Sequence, residues 1–417
     1  MKSEITNTII NNHISSDNKS EPNKSAPHKS APNKNTSKHE NNNIQKKVRI
    51  LSVDALRGFD MIWILGAEGI FAALFVITKW PWLQSLALQM QHSTWHGISA
   101  YDVIFPLFIF LAGVSLGISA KPMSHYPIEQ RKPLLMASIK RLFLLIFLGI
   151  IYNHGWGTGV PLHWEEVRYV SVLGRIGIAW FVAAILCWYV SEKTQWFIAG
   201  GILIFYWLLL TFVEISGFGG GNYSQTGALN AWVDRTFLPG ISYQNLAIDP
   251  EGILSNVNSI VNAMSGVFVG RMMMRNIAKP ITLMKNLLLM AIVCLVLGSL
   301  WHLVFPINKT LWTSSFVLVT VGFSALLLMV FYYLFDVLQL SILGKLAKFF
   351  AVIGCNSIII YLATSIVNWQ YISSSLFGGF INLFDDGMHT LVNIICLVLL
   401  QWLLLYWLYQ RKIFIKA

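Results

Sequence analysis

The chain has 417 residues, of which 55% are hydrophobic and only 12% charged, and it carries a formal net charge of +11. Soluble domains carry about 25% charged residues, so this composition excludes an ordinary soluble protein and implies one integral membrane domain. The basic balance comes with no nucleic-acid-binding module, which leaves membrane topology as its reading.

Residues 1–48 are a separate material, rich in Asn, Ser, Lys and Pro, with the near-repeat Ser25-Ala26-Pro27-His28-Lys29 and Ser30-Ala31-Pro32-Asn33-Lys34. Their low apolar content predicts a disordered polar tail. The polar lead is too long for a signal peptide and no small-residue cleavage site follows the first apolar run, which reads as an uncleaved span. Residues 49–417 form the membrane domain. Its apolar runs predict about ten transmembrane helices, near 54–78, 101–120, 134–152, 171–190, 196–214, 253–270, 286–305, 313–334, 349–368 and 389–409. The expected fold class is therefore an all-α polytopic helix bundle. With both termini cytoplasmic, only Lys79, Arg168, Arg175, Arg235 and Lys309 of the 30 Lys and Arg fall outside, as the positive-inside rule requires.

In this topology the outer face gathers the chemistry. Gln91-His92-Ser93-Thr94-Trp95-His96-Gly97 precedes Tyr101-Asp102 at the mouth of the second span. Imidazoles move protons near neutral pH, and carboxylates in lipid need a partner or a wet cavity. Glu68, midway along the first span, and Asp102 can each orient His92 and stabilise its cation, which predicts a pocket around Glu68, His92 and Asp102. A metal site is the weaker reading of His92 and His96: no HExxH glutamate accompanies them and Gly97 suggests a loop. Cys187, Cys294, Cys355 and Cys396 fall inside spans without paired spacing and read as small buried hydrophobes. Asp54 and Arg57, three apart, read as an interfacial ion pair, and the outer tryptophans as an aromatic belt in which Trp95 and Trp312 can stack on a sugar ring.

Several segments then resemble one family, the heparan-α-glucosaminide N-acetyltransferases. They are Ser52-Val53-Asp54-Ala55-Leu56-Arg57-Gly58, the His92 segment with Asp102 and Phe105-Pro106, Val167-Arg168, and Leu173-Gly174-Arg175-Ile176. Asp249-Pro250-Glu251-Gly252-Ile253-Leu254-Ser255, Asn258-Ser259-Ile260-Val261, Ile307-Asn308-Lys309 with Leu311-Trp312, and Asn356-Ser357-Ile358 continue the series in order. The resemblance implies a polytopic acyltransferase that carries acetyl from cytoplasmic acetyl-CoA, as co-substrate, to an amino sugar across the membrane. The family's reactive histidine falls on His92. An asparagine of the eukaryotic enzymes falls on Glu68, a departure that bears on the histidine's charge or on the acceptor. The large luminal domain of the animal enzymes is replaced by the polar tail, which fits a bacterial inner-membrane protein whose acceptor site faces the periplasm.

Acetyl transfer from a thioester needs a base, His92, or a histidine that is itself acetylated, and donors for the oxyanion. Ser93, Thr94, Asn258 and Asn308 are outer-face candidates, with Trp95 and Trp312 for the sugar. The CoA phosphates call for cytoplasmic cations such as Arg57, Lys140, Arg141 and Arg271. Asn356 and Ser357 are placed to line a channel for the pantetheine arm. The expected partners are the bilayer and a sugar acceptor, with no nucleic acid and no metal; assembly into a homo-oligomer is left open. The rival reading is a proton-coupled transporter of a small polar or sugar solute that uses Glu68 and Asp102 as proton carriers.

Overall fold

The computed structural model describes residues 50–154 and 163–414; the tail at 1–48 lies outside the described residues. The first apolar run is helical but broken. Helix α1 (Leu51–Ile64) stops where Gly66 takes φ +114°, a conformation open to glycine. After the turn holding Glu68, α2 (Ile70–Thr78) leaves at 71°. Pro81, tolerated in a first turn, starts α3 (Pro81–Gln89). Helices α4 (Ala100–Ser119) and α5 (Ile128–His154) follow, then α6 (Val172–Tyr189) and α7 (Glu192–Phe212). A short ribbon pairs Glu214–Ile215 (β1) with Phe218–Gly219 (β2), and α8 (Leu229–Phe237) leads to α9 (Ser255–Arg275). The remainder is α10 (Pro280–His302), α11 (Ser314–Tyr332, extended by a π turn to Val337), α12 (Ser341–Cys355), α13 (Ser357–Ile366), α14 (Trp369–Ile381) and α15 (Asp386–Gln410). Side-chain caps set several starts: Ser171, Ser191, Thr313 and Asp385 accept the backbone N–H of Gly174, Thr194, Phe316 and Met388.

Among the described residues, seven helices are long and apolar enough to cross a membrane, and nine if each of two bent pairs is one span. This is a multi-pass, all-α membrane protein. The bent pairs correct the expectation of straight helices at 54–78 and 349–368. The second pair, α12 and α13, bends by 62° at Asn356, and its first helix begins at Ser341, earlier than expected. The sixth expected span, 253–270, corresponds to α9, whose 21 residues are long enough but too polar to qualify by hydropathy.

Helix α9 is polar because it lies inside. Asn258, Ser259 and Asn262 are fully buried. Asn262 accepts from Trp312 Nε1 (2.9 Å) and donates to Thr320 Oγ1 (3.2 Å). A Cβ on Gly113 or Gly117 of α4 would overlap the carbonyl oxygen of Ala263 or Val267, and one on Gly266 or Gly270 of α9 that of Phe110 or Val114. This small-xxx-small pairing brings the two backbones together. The contacts advance in step along α4 and α9, and along α9 and α11. Helix α6 joins them by its first turns, where Arg175 donates to Ser255 Oγ. The four interior helices therefore run parallel, and their amino termini share one end of the bundle. On the outside, Leu289, Ile292, Val296 and Leu300 of α10 are half or more exposed, a face suited to lipid.

Candidate active site

At that shared end, Ser99 and Asp102 form a capping box on α4. Asp102 Oδ2 accepts from the backbone N–H of Ser93 (3.1 Å) and Ser99 (3.1 Å) and from Ser99 Oγ (3.0 Å). Its other oxygen, Oδ1, lies 2.8 Å from His92 Nδ1 and 3.3 Å from Lys309 Nζ. Asp102 is fully buried, whereas the His92 side chain is 54% exposed. A carboxylate so placed favours the tautomer with Nδ1 protonated, which leaves the Nε2 lone pair for chemistry. Lys309 Nζ is 3.0 Å from Nδ1 and 3.4 Å from Nε2. Distances this short to both ring nitrogens put the ammonium over the ring face, outside its plane. Burial pulls the Lys309 pKa below its ordinary value, while Asp102 and Glu251 hold it up.

Two loops clamp each other to hold this geometry. Gly97, at φ +112°, donates its N–H to Ile307 O at 2.8 Å. Asn308 Nδ2 donates to Trp95 O (2.8 Å), and Asn308 Oδ1 accepts from Leu311 N (2.8 Å). Trp95 Nε1 donates to Tyr223 O (2.9 Å). His96 turns away from His92 and places Nδ1 3.4 Å from Asn308 Nδ2.

A second charged network lies beside the first. Arg168 binds Asp249 through Nε (2.8 Å) and Nη2 (2.6 Å), and Glu251 through Nη2 (2.5 Å). Burial opposes the guanidinium charge, yet the two carboxylates hold its pKa above the ordinary arginine value. Asp234 accepts the N–H of Asp249 (3.1 Å) and Ile253 (3.0 Å); burial nevertheless pushes its carboxyl up to about 6. Arg175, 1% exposed, lies with its guanidinium 4.5 Å from the Trp312 ring centre, its Nε and Nη1 without hydrogen-bond partners.

Glu68 sits in the turn between α1 and α2 with Oε2 buried and without a partner. It makes no hydrogen bond to His92; the aromatic neighbour of that imidazole is Tyr101, its ring centre 4.8 Å away. Of the other outer-face candidates, Asn258 and Trp312 are fully buried, and Asn258 donates to Trp312 O (2.8 Å). Their polar groups, with those of Asn308, hold the loops and helices behind the dyad.

The cationic candidates lie elsewhere in the bundle. Arg57 donates to Ser115 Oγ (2.9 Å) and stands 3.8 Å from Asp54. Arg141 stacks 4.0 Å from the Trp180 ring centre, and Lys140 is exposed. Arg271 is engaged by Gln195 Oε1 (2.9 Å) and Cys187 Sγ (2.8 Å). Asn356 donates to Ile413 O (3.0 Å) at the α12–α13 bend, and Ser357 is buried beside it. Among the described residues no three His, Cys, Asp or Glu side chains converge to hold a metal.

Lys309, Arg168 and Arg175 stand in the family-like segments but carried no expected role in the site. A signal for them existed: they are three of the five cations that break the positive-inside pattern.

No protein-family model matches the chain. It is 29% identical over 383 residues to heparan-alpha-glucosaminide N-acetyltransferase of Mus musculus, a match covering 78% of this chain and 56% of the mouse protein. The Homo sapiens enzyme of the same name is also 29% identical, over 391 residues, with 78% and 55% covered. The chain thus spans about half the length of the curated relatives it matches. It is a distant relative of the heparan-alpha-glucosaminide N-acetyltransferases.

Proposed function

We propose that the chain is a transmembrane acyltransferase that moves an acetyl group from cytoplasmic acetyl-CoA to the amino group, or a hydroxyl, of an extracytoplasmic sugar such as a terminal glucosamine. The observation that carries this reading is the His92–Asp102 dyad with Lys309 over the imidazole, at an end of the bundle where four helices begin. Similarity to the two N-acetyltransferases supports it. The positive-inside pattern supports an orientation with this end outside and both termini, with the polar tail at 1–48, in the cytoplasm. The setting is then a bacterial inner membrane, with the dyad facing the periplasm.

In this mechanism His92 Nε2 takes a proton as the acceptor nitrogen attacks the thioester carbonyl. Asp102 stabilises the imidazolium that forms. Lys309 and the positive ends of four helices stabilise the oxyanion. Collapse of the tetrahedral intermediate breaks the C–S bond, the new amide stays on the sugar, and the CoA thiolate leaves and takes up a proton. Trp95 flanks the acceptor; Asn258, Asn308 and Trp312 hold the walls. Arg57, Lys140, Arg141 and Arg271 serve the CoA phosphates, and Asn356 and Ser357 the pantetheine path at the α12–α13 bend.

The test is transfer of labelled acetyl from acetyl-CoA to glucosamine by purified protein, wild type beside His92→Ala. Transfer lost only in the variant supports the reading; transfer retained in His92→Ala removes the dyad from the chemistry. The two broken helices also suit a proton-coupled transporter. Glucosamine uptake into proteoliposomes driven by a pH gradient, without acetyl-CoA, would favour that alternative.

A further inference from the structure

Lys309 is an amine that the fold holds against the imidazole of the dyad. Its Nζ lies 3.0 Å from His92 Nδ1, 3.4 Å from Nε2 and 3.3 Å from Asp102 Oδ1. The Lys309 side chain is 20% exposed and that of His92 54%, so a reagent that reaches the ring also reaches the amine. The loops keep it there. Asn308, its neighbour in the chain, is fully buried and donates to Trp95 O at 2.8 Å, and Trp312 N donates to Lys309 O at 3.1 Å. The segment carrying the lysine is thus tied to the segment carrying the histidine. Burial lowers the Lys309 pKa and Arg175 adds to the fall, against the pull of Asp102 and Glu251, so it holds more free amine than a solvated lysine. A free amine is a nucleophile, and one tethered beside a reacting centre acts at a high effective concentration.

The direction of approach also fits. An acyl group carried on Nε2 lies in the plane of the imidazole, and an amine attacks such a carbonyl from its face. Nζ stands over that face. The flexible four-carbon stem of lysine lets it close to the roughly 3–3.5 Å of a near-attack position. A thioester carbonyl set beside Nε2 for attack by an acceptor amine is within the same reach. We propose that Lys309 is a site of self-acetylation: without an acceptor, its amine takes the acetyl group and the protein switches itself off. The free amine attacks the thioester carbonyl carbon and the C–S bond breaks. The surplus amine proton passes by way of His92 Nε2 to the departing CoA thiolate, leaving an amide on Nζ and free CoA thiol. Acetylation removes the lysine charge, so the cation over the imidazole is lost. That acetyl-CoA is the donor rests on the acyltransferase reading; the reach of the amine to an acyl group at His92 rests on the dyad alone.

The test is mass spectrometry of the full chain in nanodiscs, incubated without acceptor with acetyl-CoA or with the small thioester S-acetyl-N-acetylcysteamine. Acetyl should appear on Lys309 about tenfold faster than on the exposed Lys140. In His92→Ala, labelling of Lys309 should slow about 10²-fold and fall behind Lys140. A misfolded variant would label both lysines alike. Preincubation with either thioester should cut later acetyl transfer to glucosamine about 10²-fold, in step with Lys309 acetylation, and glucosamine present from the start should prevent both. Lys309→Arg should keep its own initial rate through the same preincubation. Labelling of Lys309 no faster than of Lys140 in wild type, or equally fast without His92, would overturn the proposal. Lys309 labelled by the small thioester, with no acetyl passed from acetyl-CoA to any sugar, upholds the site and defeats the acyltransferase reading. Acetyl passed to glucosamine while Lys309 stays bare with both donors does the reverse.

Discussion

Two regions near one end of this molecule are built from opposite ends of helices. At the dyad, α4, α6, α9 and α11 begin, and Lys309, Arg168 and Arg175 stand among them. At the α1–α2 break and the α13–α14 junction, α1 and α13 finish while α14 begins under its Asn368 cap. The first region gathers helix ends of one sign, which favours negative charge, whereas at the second helix ends of opposite sign offset one another.

The comparison can be broken in several places. The largest effect belongs to Asp102→Asn, which keeps the side-chain shape but allows the wrong imidazole tautomer; acetyl transfer should fall about 10³-fold with little change in KM, measured with labelled acetyl-CoA. Lys309→Met removes the cation over the ring and should cost about 10²-fold in kcat, the scale of a lost oxyanion donor. Glu68→Gln tests the turn between α1 and α2. It should raise the KM for glucosamine about tenfold and leave the KM for acetyl-CoA unchanged; an equal loss for both substrates would place Glu68 with the dyad.

A smaller effect concerns pH. The Asp234 carboxyl is raised to about 6 in the folded protein, against about 3.9 for a free aspartate. The folded state thus holds this proton more tightly than the unfolded state. Stability should fall as pH rises from about 4 to about 6, and stay level with respect to this group above that. Hydrogen exchange of the loop around Asp249 would follow it, and Asp234→Asn should flatten the slope. The smallest change is expected from Leu289→Ala on α10, a side chain 62% exposed on the outer face; the melting temperature in detergent should stay within a degree or two of wild type.

Much of this arrangement was legible in the residues. Apolar runs located the helices, and Asp102 at the mouth of the second span offered a partner for the His92 imidazole, which it meets at 2.8 Å. Hydropathy failed at α9, an interior helix, because Asn262 pairs with Thr320 and Trp312 there, and Asn258 donates to Trp312 O, all within the protein. It also hid the breaks in α1–α2 and α12–α13, since bending at Gly66 or Asn356 leaves the apolar count unchanged. Pairing of Arg168 with Asp249 and Glu251 crosses about eighty positions in the chain, a separation that no local spacing encodes. The oddity of cations on the cation-poor side was visible, and it marked the site more sharply than the tryptophans did.

Asp102 belongs to two structures at once. It closes the first turn of α4 through Ser99 and it fixes the imidazole of His92. The imidazole is thereby keyed to the register of a helix that locks glycine-to-glycine into the centre of the protein. A drift of that helix by a fraction of a turn would misaim the imidazole before it unfolded anything. The whole membrane core thus acts as the jig that sets the alignment of one side chain.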